Sequence, residues 1–194
     1  MNKLIQLLNL KKECENCRKC KIGGVKIDGE DLSNVLSNMC LKAKIIVVGQ
    51  NPGREEIKLR KPFIGMSGNF FDKAIKYVLG LDRSYFYITN TVKCFTPNNR
   101  PPTEEETKNC MHFLKREVGI IKPQTIITLG NPALRYFTGK QGITKLHGQF
   151  IRSENFDMDI FPLMHPSPLN MNSESNRKMF YEDLEKIKNE VVVN

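Results

Sequence analysis

Short apolar runs alternate along the chain with longer segments in which apolar positions recur every three or four residues. A continuous β-branched run that stops at a turn residue is typical of a strand buried on both faces of a parallel sheet. The runs that predict strands cover residues 44–49, 85–90, 124–129 and 159–164. Strand and helix therefore alternate from residue 44 onwards.

The periodic segments predict helices, which cover residues 4–12, 68–79, 103–118, a stretch starting at 131–132, and 176–191. Ser67 stands where it can cap the second helix, and Thr103 with Glu106 forms a capping-box signature before the third. We expect residues 23–40 to connect elements without forming a second core. A loop is expected from the end of the first strand through Lys61.

This alternation predicts an α/β fold, a three-layer sandwich with a central, mainly parallel four-stranded sheet. At 194 residues the chain has room for one well-buried domain, expected to span residues 1–194. Functional groups in such folds gather on loops beyond the carboxyl ends of the strands. Three loops qualify, and they follow Val48, Ile88 and Met164.

The chain is basic, with 30 lysines and arginines against 21 acidic residues, a net charge of +9. This surplus favours a polyanionic partner, either nucleic acid or an anionic membrane surface. The apolar runs are far shorter than the roughly 20 residues that a membrane-spanning helix needs. Lysines also interrupt the leading residues 1–11, which disfavours a secretory signal. We therefore expect a cytoplasmic protein that does not enter a membrane.

The chain contains six cysteines, namely Cys14, Cys17, Cys20, Cys40, Cys94 and Cys110. The first three form two overlapping Cys-x-x-Cys pairs, and the last two add a second pair far along the chain. In a cytosolic protein such spacing favours metal binding over disulfides. Thiolates select zinc or iron–sulfur centres, and four thiolates close either kind of site. Cys40 is predicted to be a small buried hydrophobic residue.

The three loops carry unusual motifs. They are Gly-Gln-Asn-Pro-Gly at 49–53, Asn-Thr-Val-Lys-Cys at 90–94 and His-Pro-Ser-Pro-Leu at 165–169, with Lys-Pro-Phe-Ile-Gly at 61–65 between the first two. The first motif lets a strand turn sharply and present main-chain and side-chain amides to a ligand. It is not a phosphate-binding P-loop, because no Gly-Lys-Ser/Thr follows it.

In this order the motifs resemble those of the uracil-DNA glycosylase superfamily, most closely its family 4, whose members contain an iron–sulfur cluster. The resemblance extends to the fifteen residues between Cys94 and Cys110 and to segments 99–103, 128–130 and 146–148. It implies a monomeric DNA repair hydrolase whose partner is uracil-containing DNA. Such an enzyme flips the uracil nucleotide out of the duplex and hydrolyses its N-glycosidic bond, leaving an abasic site.

The resemblance also implies a [4Fe-4S] cluster as cofactor. The expected ligands are Cys17, Cys20, Cys94 and Cys110. Cys14 is an alternative to Cys20, and residues 1–22 would contribute their cysteines to the cluster site.

Five residues would form the base pocket by the same resemblance. Phe63 would stack on the flipped pyrimidine, and the carboxamide of Asn90 would recognise its edge. His165 would donate a hydrogen bond to the uracil carbonyl as negative charge builds there. Gly49 and Gln50 would line the pocket from the first loop.

The first loop departs from the usual family 4 pattern. Gln50 stands where that family has glutamate, and Asn51 gives the loop the Asn-Pro-Gly form of mismatch-specific and single-strand-selective relatives. We expect Asn51 to orient the attacking water, with Gln50 beside it and Glu56, at an acidic position of the family, assisting. Ile57 replaces the usual aspartate.

Residues outside the base pocket would contact the DNA. Leu169 would fill the gap that the flipped nucleotide leaves, and Ser167 lies in the same loop. Basic side chains suited to phosphate contacts are Arg100, Lys140, Lys145 and Arg177.

Three other functions fit the same residues. One is a non-catalytic iron–sulfur DNA-binding protein of this fold, and another is a glycosylase with altered or broader base specificity. The third is a zinc-stapled hydrolase that acts on another base or nucleoside.

Overall fold

The structure, a computed structural model, describes residues 2–24, 26–27, 30–31, 34–153 and 156–188. Its strands are β1 (Lys26–Ile27), β2 (Glu30–Asp31), β3 (Ile45–Gly49), β4 (Phe86–Asn90), β5 (Thr125–Leu129), β6 (Ile151–Ser153) and β7 (Met158–Leu163). Its α-helices are α1 (Lys3–Glu15), α2 (Arg54–Leu59), α3 (Met66–Leu79), α4 (Glu104–Ile121), α5 (Gly130–Thr138), α6 (Ile143–Leu146), α7 (Pro168–Met171) and α8 (Glu174–Ile187). Within the described ranges, no helix is both long enough and apolar enough to cross a membrane.

Five strands form the central sheet in the order β4-β3-β5-β7-β6. The first four are parallel to one another, and β6 is antiparallel to β7 at one edge. The prediction of a mainly parallel sheet is confirmed, with one strand more than the expected four. The strand β6 was missed because it has only three residues, with Arg152 exposed between two buried neighbours, and so short a pattern carries little signal.

Helices cover both faces of the sheet, which confirms the three-layer α/β fold. Alternate residues of β3 point to opposite faces, as the pleat requires. Ile46 and Val48 join one core with residues of α1, α4 and α5. Ile45 and Val47 join the other core with residues of α3 and α8. The strand is buried along its whole length, which explains its continuous apolar run.

The capping box of α4 is confirmed, because Thr103 Oγ1 accepts from the Glu106 amide and the Glu106 carboxylate accepts from the Thr103 amide. The predicted cap of α3 is wrong. That helix begins one residue earlier than Ser67, at Met66, and its N-cap is Gly65, which supplies no side chain. Glu56 of the preceding helix instead bonds the backbone amides of Ile64 and Gly65, just before α3 begins.

Three further boundaries differ from the prediction. The expected loop through Lys61 contains the helix α2, which at six residues is too short for a periodic pattern. The closing helix begins at Glu174 after the cap Ser173, and residues 189–191 of its predicted span lie outside the described residues. Cys40, predicted to be buried, is half-buried against the first core, and its thiol donates to the carbonyl of Ser84 at 2.9 Å.

Parallel strands end at the same edge of a sheet, so the loops after β3, β4 and β7 emerge together. Gly49 ends β3 directly beside Asn90, which ends β4. The motif that begins at His165 starts two residues after β7. This carboxyl edge holds the candidate site.

Candidate functional site

Gly49 and Asn90 form the floor of the site. They are register partners across β3 and β4. A Cβ atom at Gly49 would lie 2.5 Å from Asn90 Oδ1 and 3.9 Å from the ring of Phe63. Only glycine lets the amide and the ring approach the strand this closely. Asn90 is itself almost fully buried, so its carboxamide is held in place by its surroundings.

Phe63 is fixed from several sides. Its backbone is left-handed, with φ of 56°, a conformation that bulky residues seldom adopt. Its carbonyl lies against Gly68 in the first turn of α3, where a Cβ would be only 1.8 Å from the oxygen. On the amino side, an Arg83 guanidinium nitrogen donates to the carbonyl of Pro62. The surrounding contacts therefore offset a local strain that would otherwise cost on the order of 1–3 kcal/mol.

His165 meets Phe63 edge to face, with ring centroids 5.9 Å apart and planes at 86°. Gly130, with φ of 81° at the end of β5, makes room for it, because a Cβ there would lie 3.1 Å from the Cβ of His165. The His165 carbonyl accepts from the Ser167 amide at 2.8 Å and from Asn170 Nδ2 at 2.7 Å. Burial lowers the pKa of the imidazole below its usual 6.5, so the ring is neutral at pH 7.

The loop after His165 ends in an exposed apolar side chain. Ser167 caps the short helix α7, although its Oγ accepts from the Asn170 amide only at 3.4 Å. Leu169 follows and is 85% exposed. A large apolar residue so exposed, four residues after a half-buried histidine, is suited to contact a partner rather than the core.

The first loop runs beside the segment that follows β4. The Gln50 carbonyl accepts from the Val92 amide at 3.0 Å and from Thr91 Oγ1 at 2.7 Å. Asn51 is half-buried, and its Nδ2 donates to Thr96 Oγ1 at 3.2 Å. Sequence reasoning missed both threonines.

Glu56 anchors the Phe63 loop. Its Oε1 accepts from the amides of Ile64 and Gly65 at 3.0 and 2.9 Å. These are the residues between Phe63 and α3, so the carboxylate fixes the backbone that leads into the helix. A Cβ on Gly53 would lie 2.6 Å from Glu56 Oε2, which places the other oxygen against the first loop. Glu56 thus joins the two loops.

The four predicted ligands Cys17, Cys20, Cys94 and Cys110 line a single cavity. Cys14 is not among its lining residues. It is fully buried on α1 among Leu7 and Leu10. The structure therefore favours Cys20 over Cys14 as the fourth thiol at the cavity.

Burial raises the pKa of Cys110 to about 11 and that of Cys94 further, because the thiolate loses its solvation. As free groups these thiols are neutral, and only a bound cation would deprotonate them at neutral pH. Among the residues that the structure describes, no three His, Cys, Asp or Glu side chains are arranged to hold a single metal ion. The cysteines share a cavity without being gathered around one point.

Two of the four basic side chains that the sequence suggests for phosphate contacts are bonded to other residues of the protein. Arg100 pairs with Glu106 at 2.7 Å, and Arg177 donates to the carbonyls of Met171 and Asn172. Lys140 and Lys145 are exposed. The structure brings Gly49, Phe63, Asn90 and His165 together, sets Asn51 against Thr96, and places the cysteines in a separate cavity.

Known proteins resemble this chain over most of its length. The model of the uracil DNA glycosylase superfamily matches residues 36–188. A type-4 uracil-DNA glycosylase of Sulfurisphaera tokodaii is 36% identical over 192 residues, covering 94% of this chain and 83% of that protein. One from Thermotoga maritima is 37% identical over 177 residues, covering 90% of each.

A solved structure has the same fold. It is the solution NMR structure of a candidate uracil DNA glycosylase of Methanosarcina acetivorans, with a TM-score of 0.53. The two chains are 13% identical over 80% of this chain and 97% of the other. At that identity the likeness concerns the fold alone.

Two glycines that both lie in helices test the packing around Phe63. Gly68→Ala should lower the free energy of unfolding by about 2 kcal/mol or more, because the new methyl group would collide with the Phe63 carbonyl. Gly119→Ala in α4 meets nothing within 4 Å and should raise it by about 0.5–1 kcal/mol through helix propensity. Urea unfolding of both variants measures the difference, and a gain in stability at Gly68 would contradict the described position of Phe63.

Proposed function

This chain belongs to the uracil DNA glycosylase superfamily, and we propose that it removes uracil from DNA. The reaction is hydrolysis of the N-glycosidic bond between uracil and deoxyribose, and it leaves an abasic site. One observation carries the proposal beyond family membership. Phe63, Asn90 and His165, which are far apart in sequence, lie side by side at the carboxyl edge of the sheet.

The pocket supplies complementary groups to a flipped uracil. Asn90 offers one donor and one acceptor on a single carboxamide, which matches the imide face of uracil. The Phe63 ring supplies an aromatic surface for a planar pyrimidine. Since Gly49 lets the Asn90 amide lie against the end of β3, a base bound by that amide would lie at the same end of the strand.

His165 would stabilise the charge that develops on uracil. As the glycosidic bond breaks, the electron pair moves onto the base and its carbonyl oxygen becomes more negative. A neutral imidazole, favoured by the burial of His165, can donate its N–H to that oxygen without transferring the proton. The uracil can then leave as an anion.

Asn51 would orient the water that attacks the sugar. The sugar carries positive charge in the transition state, so a correctly placed water is needed more than a deprotonated one. The side-chain amide of Asn51 donates to Thr96 Oγ1. The backbone carbonyl of Gln50 accepts from Thr91 Oγ1 and from the Val92 amide. Both are fixed next to Gly49, where the base would lie.

The DNA would approach the face that carries Leu169. Extruding a nucleotide leaves a gap in the stack, and an exposed leucine can fill it. Ser167 lies beside it in the same turn. The net charge of +9 supports binding to the phosphate backbone, which supplies most sequence-independent affinity.

The cysteine cavity fits a [4Fe-4S] cluster held by Cys17, Cys20, Cys94 and Cys110. A single zinc ion would draw its four sulfurs to within about 4 Å of one another, and the described side chains offer no such group. Four cysteines spread around one cavity match the thiolate ligand set that an iron–sulfur cluster would take. When bound, it would tie the segment after α1 to α4 as a structural cross-link, and it supplies no step of the hydrolysis proposed here.

The first test is excision itself. Incubating the protein with an oligonucleotide that contains one uracil, followed by alkali, should cut the strand at the uracil and leave a thymine control intact. His165→Ala should slow the reaction about a hundredfold or more. Binding of the oligonucleotide without any cut would contradict the proposal and identify a non-catalytic DNA-binding protein. A panel of other damaged bases measures the breadth of specificity.

Glu56 provides a second test. If it acts by anchoring the Phe63 loop, Glu56→Gln keeps an oxygen for the two amides and should retain activity within about threefold of the wild type. Glu56→Ala removes the anchor and should lower excision about tenfold or more, mainly through weaker substrate binding. If the glutamine variant were as slow as the alanine variant, the carboxylate itself would be needed, as a general base requires.

The cluster assignment is tested by composition. The purified protein should be brown and contain about four iron and four sulfide per chain. Cys20→Ala should lose the iron, whereas Cys14→Ala, which alters the core of α1, should keep it. Loss of iron from the Cys14 variant alone would reverse the ligand assignment, and a colourless wild type containing zinc would overturn the cluster.

A further inference from the structure

Thr96 lies in the segment that connects Cys94 to α4, and it is fully buried. Its hydroxyl makes two hydrogen bonds. Oγ1 accepts from Asn51 Nδ2 at 3.2 Å and donates to the carbonyl of Arg100 at 2.5 Å. One side chain therefore joins the first loop of the site to the loop that follows β4.

The proton count of this hydroxyl decides how the Asn51 amide is oriented. A hydroxyl has one proton, and a carbonyl can only accept. The proton of Thr96 is therefore committed to Arg100, and toward Asn51 the hydroxyl can act only as an acceptor. It can pair with the NH2 end of the amide and not with its oxygen. That NH2 also contacts the carbonyl of Pro52 at 3.2 Å, so both of its protons have acceptors.

We propose that Thr96 is a positioning residue that fixes which end of the Asn51 amide the attacking water meets. The inference rests on the proposed function, in which Asn51 orients that water. A water that attacks a cationic sugar turns a lone pair toward the carbon and needs an acceptor for one of its protons. Asn51 Oδ1 is such an acceptor, whereas the NH2 group can only donate and offers no acceptor for that proton. An amide in the reverse orientation would present the wrong end.

The loop that carries Thr96 is built to hold the acceptor carbonyl in place. Asn98 and Asn99 have left-handed backbones, with φ of 53° and 54°, a conformation that asparagine tolerates better than most residues. They reverse the chain so that the Arg100 carbonyl returns to the Thr96 hydroxyl. The Arg100 guanidinium in turn forms two hydrogen bonds to Glu106, at 2.9 and 2.7 Å.

The hydrogen bonds from Thr96 through Arg100 to Glu106 continue to the cysteine cavity. Glu106 belongs to the capping box of α4, and the same helix carries Cys110. Thr96 itself lies two residues after Cys94. The orientation of Asn51 is therefore set by a segment whose two ends are both at the proposed cluster site.

The test compares single-turnover excision of uracil by Thr96→Val, Thr96→Ser and a matched control. Valine keeps the shape of threonine and removes the hydroxyl, so the rate constant should fall roughly tenfold to a hundredfold while the half-saturating concentration stays within about twofold. Serine keeps the hydroxyl and should restore the rate to within about threefold. Thr125→Val removes a hydroxyl that is likewise buried and bonded to a carbonyl, at the far end of β5, and should leave the rate unchanged.

The same substitution in an Asn51→Ala background distinguishes positioning from a general structural effect. If Thr96 acts through Asn51, Thr96→Val should slow the Asn51→Ala enzyme by less than about twofold. An equal slowing in both backgrounds would overturn the positioning role. Thr96→Ala should behave like the valine variant and replaces it if the latter does not fold.

The result for the wild type separates the two proposals. A wild-type protein that excises uracil, together with a Thr96→Val variant that is equally fast, would overturn the positioning role and leave the proposed function standing. A wild-type protein that excises no uracil would overturn the proposed function, and the positioning role with it. Both proposals are supported if Thr96→Val is slow, Thr96→Ser restores the rate, and Thr96→Val causes no further slowing in the Asn51→Ala background.

Discussion

The buried ion pair between Lys93 and Glu117 is the interaction on which the site depends. Both side chains are almost completely inaccessible, with exposures of 1% and 0%. Lys93 also donates to the carbonyl of Asn90 at 2.8 Å, and Glu117 accepts from Tyr87 and Thr89 at 2.9 Å. Two charges out of water are tolerated only when they are paired and fully hydrogen-bonded. The pair therefore holds the end of β4 and the helix α4 in one relative position.

Lys93 also links the end of β4 at Asn90 to the cysteine cavity at Cys110. Its side chain holds the backbone of Asn90, and its amide donates to Cys110 Sγ at 3.3 Å. Asn90, Lys93, Cys94 and Thr96 lie within seven residues of one another in the chain. The proposed base recognition, the charged pair, the cysteine cavity and the proposed orientation of Asn51 thus all involve one short segment. A displacement at the cavity would reach the base pocket through a few covalent bonds.

The sequence predicted those parts of the structure that depend on local pattern. Continuous apolar runs such as 45–48 mark strands because the sheet is covered on both faces. The motif residues Asn90 and His165 could be placed at one edge because parallel strands end together, whereas Phe63 was placed beside them by the family resemblance. Glu117 could not be singled out, because one glutamate in an amphipathic helix resembles its exposed neighbours until its partner Lys93, which follows β4, is known.

The other features that the sequence did not predict also depend on contacts between segments that are far apart in the chain. A glutamate from another helix bonds the amides of Ile64 and Gly65 before α3, and Thr96 bonds a residue forty-five positions away. Contacts between distant segments leave no periodic signal in either segment. The exclusion of Cys14 from the cavity likewise depends on how α1 rotates against α4, which spacing alone does not determine.

The four cysteines of the cavity leave the ribosome at different times during synthesis of the protein. Cys17 and Cys20 leave the ribosome before any strand of the central sheet, whereas Cys110 emerges only after β3 and β4. Until α4 folds, the early thiols face the solvent as nucleophiles open to oxidants and stray metal ions. The proposed cluster could therefore be completed only after α4 has folded, and those two sulfurs would have to stay reduced until then.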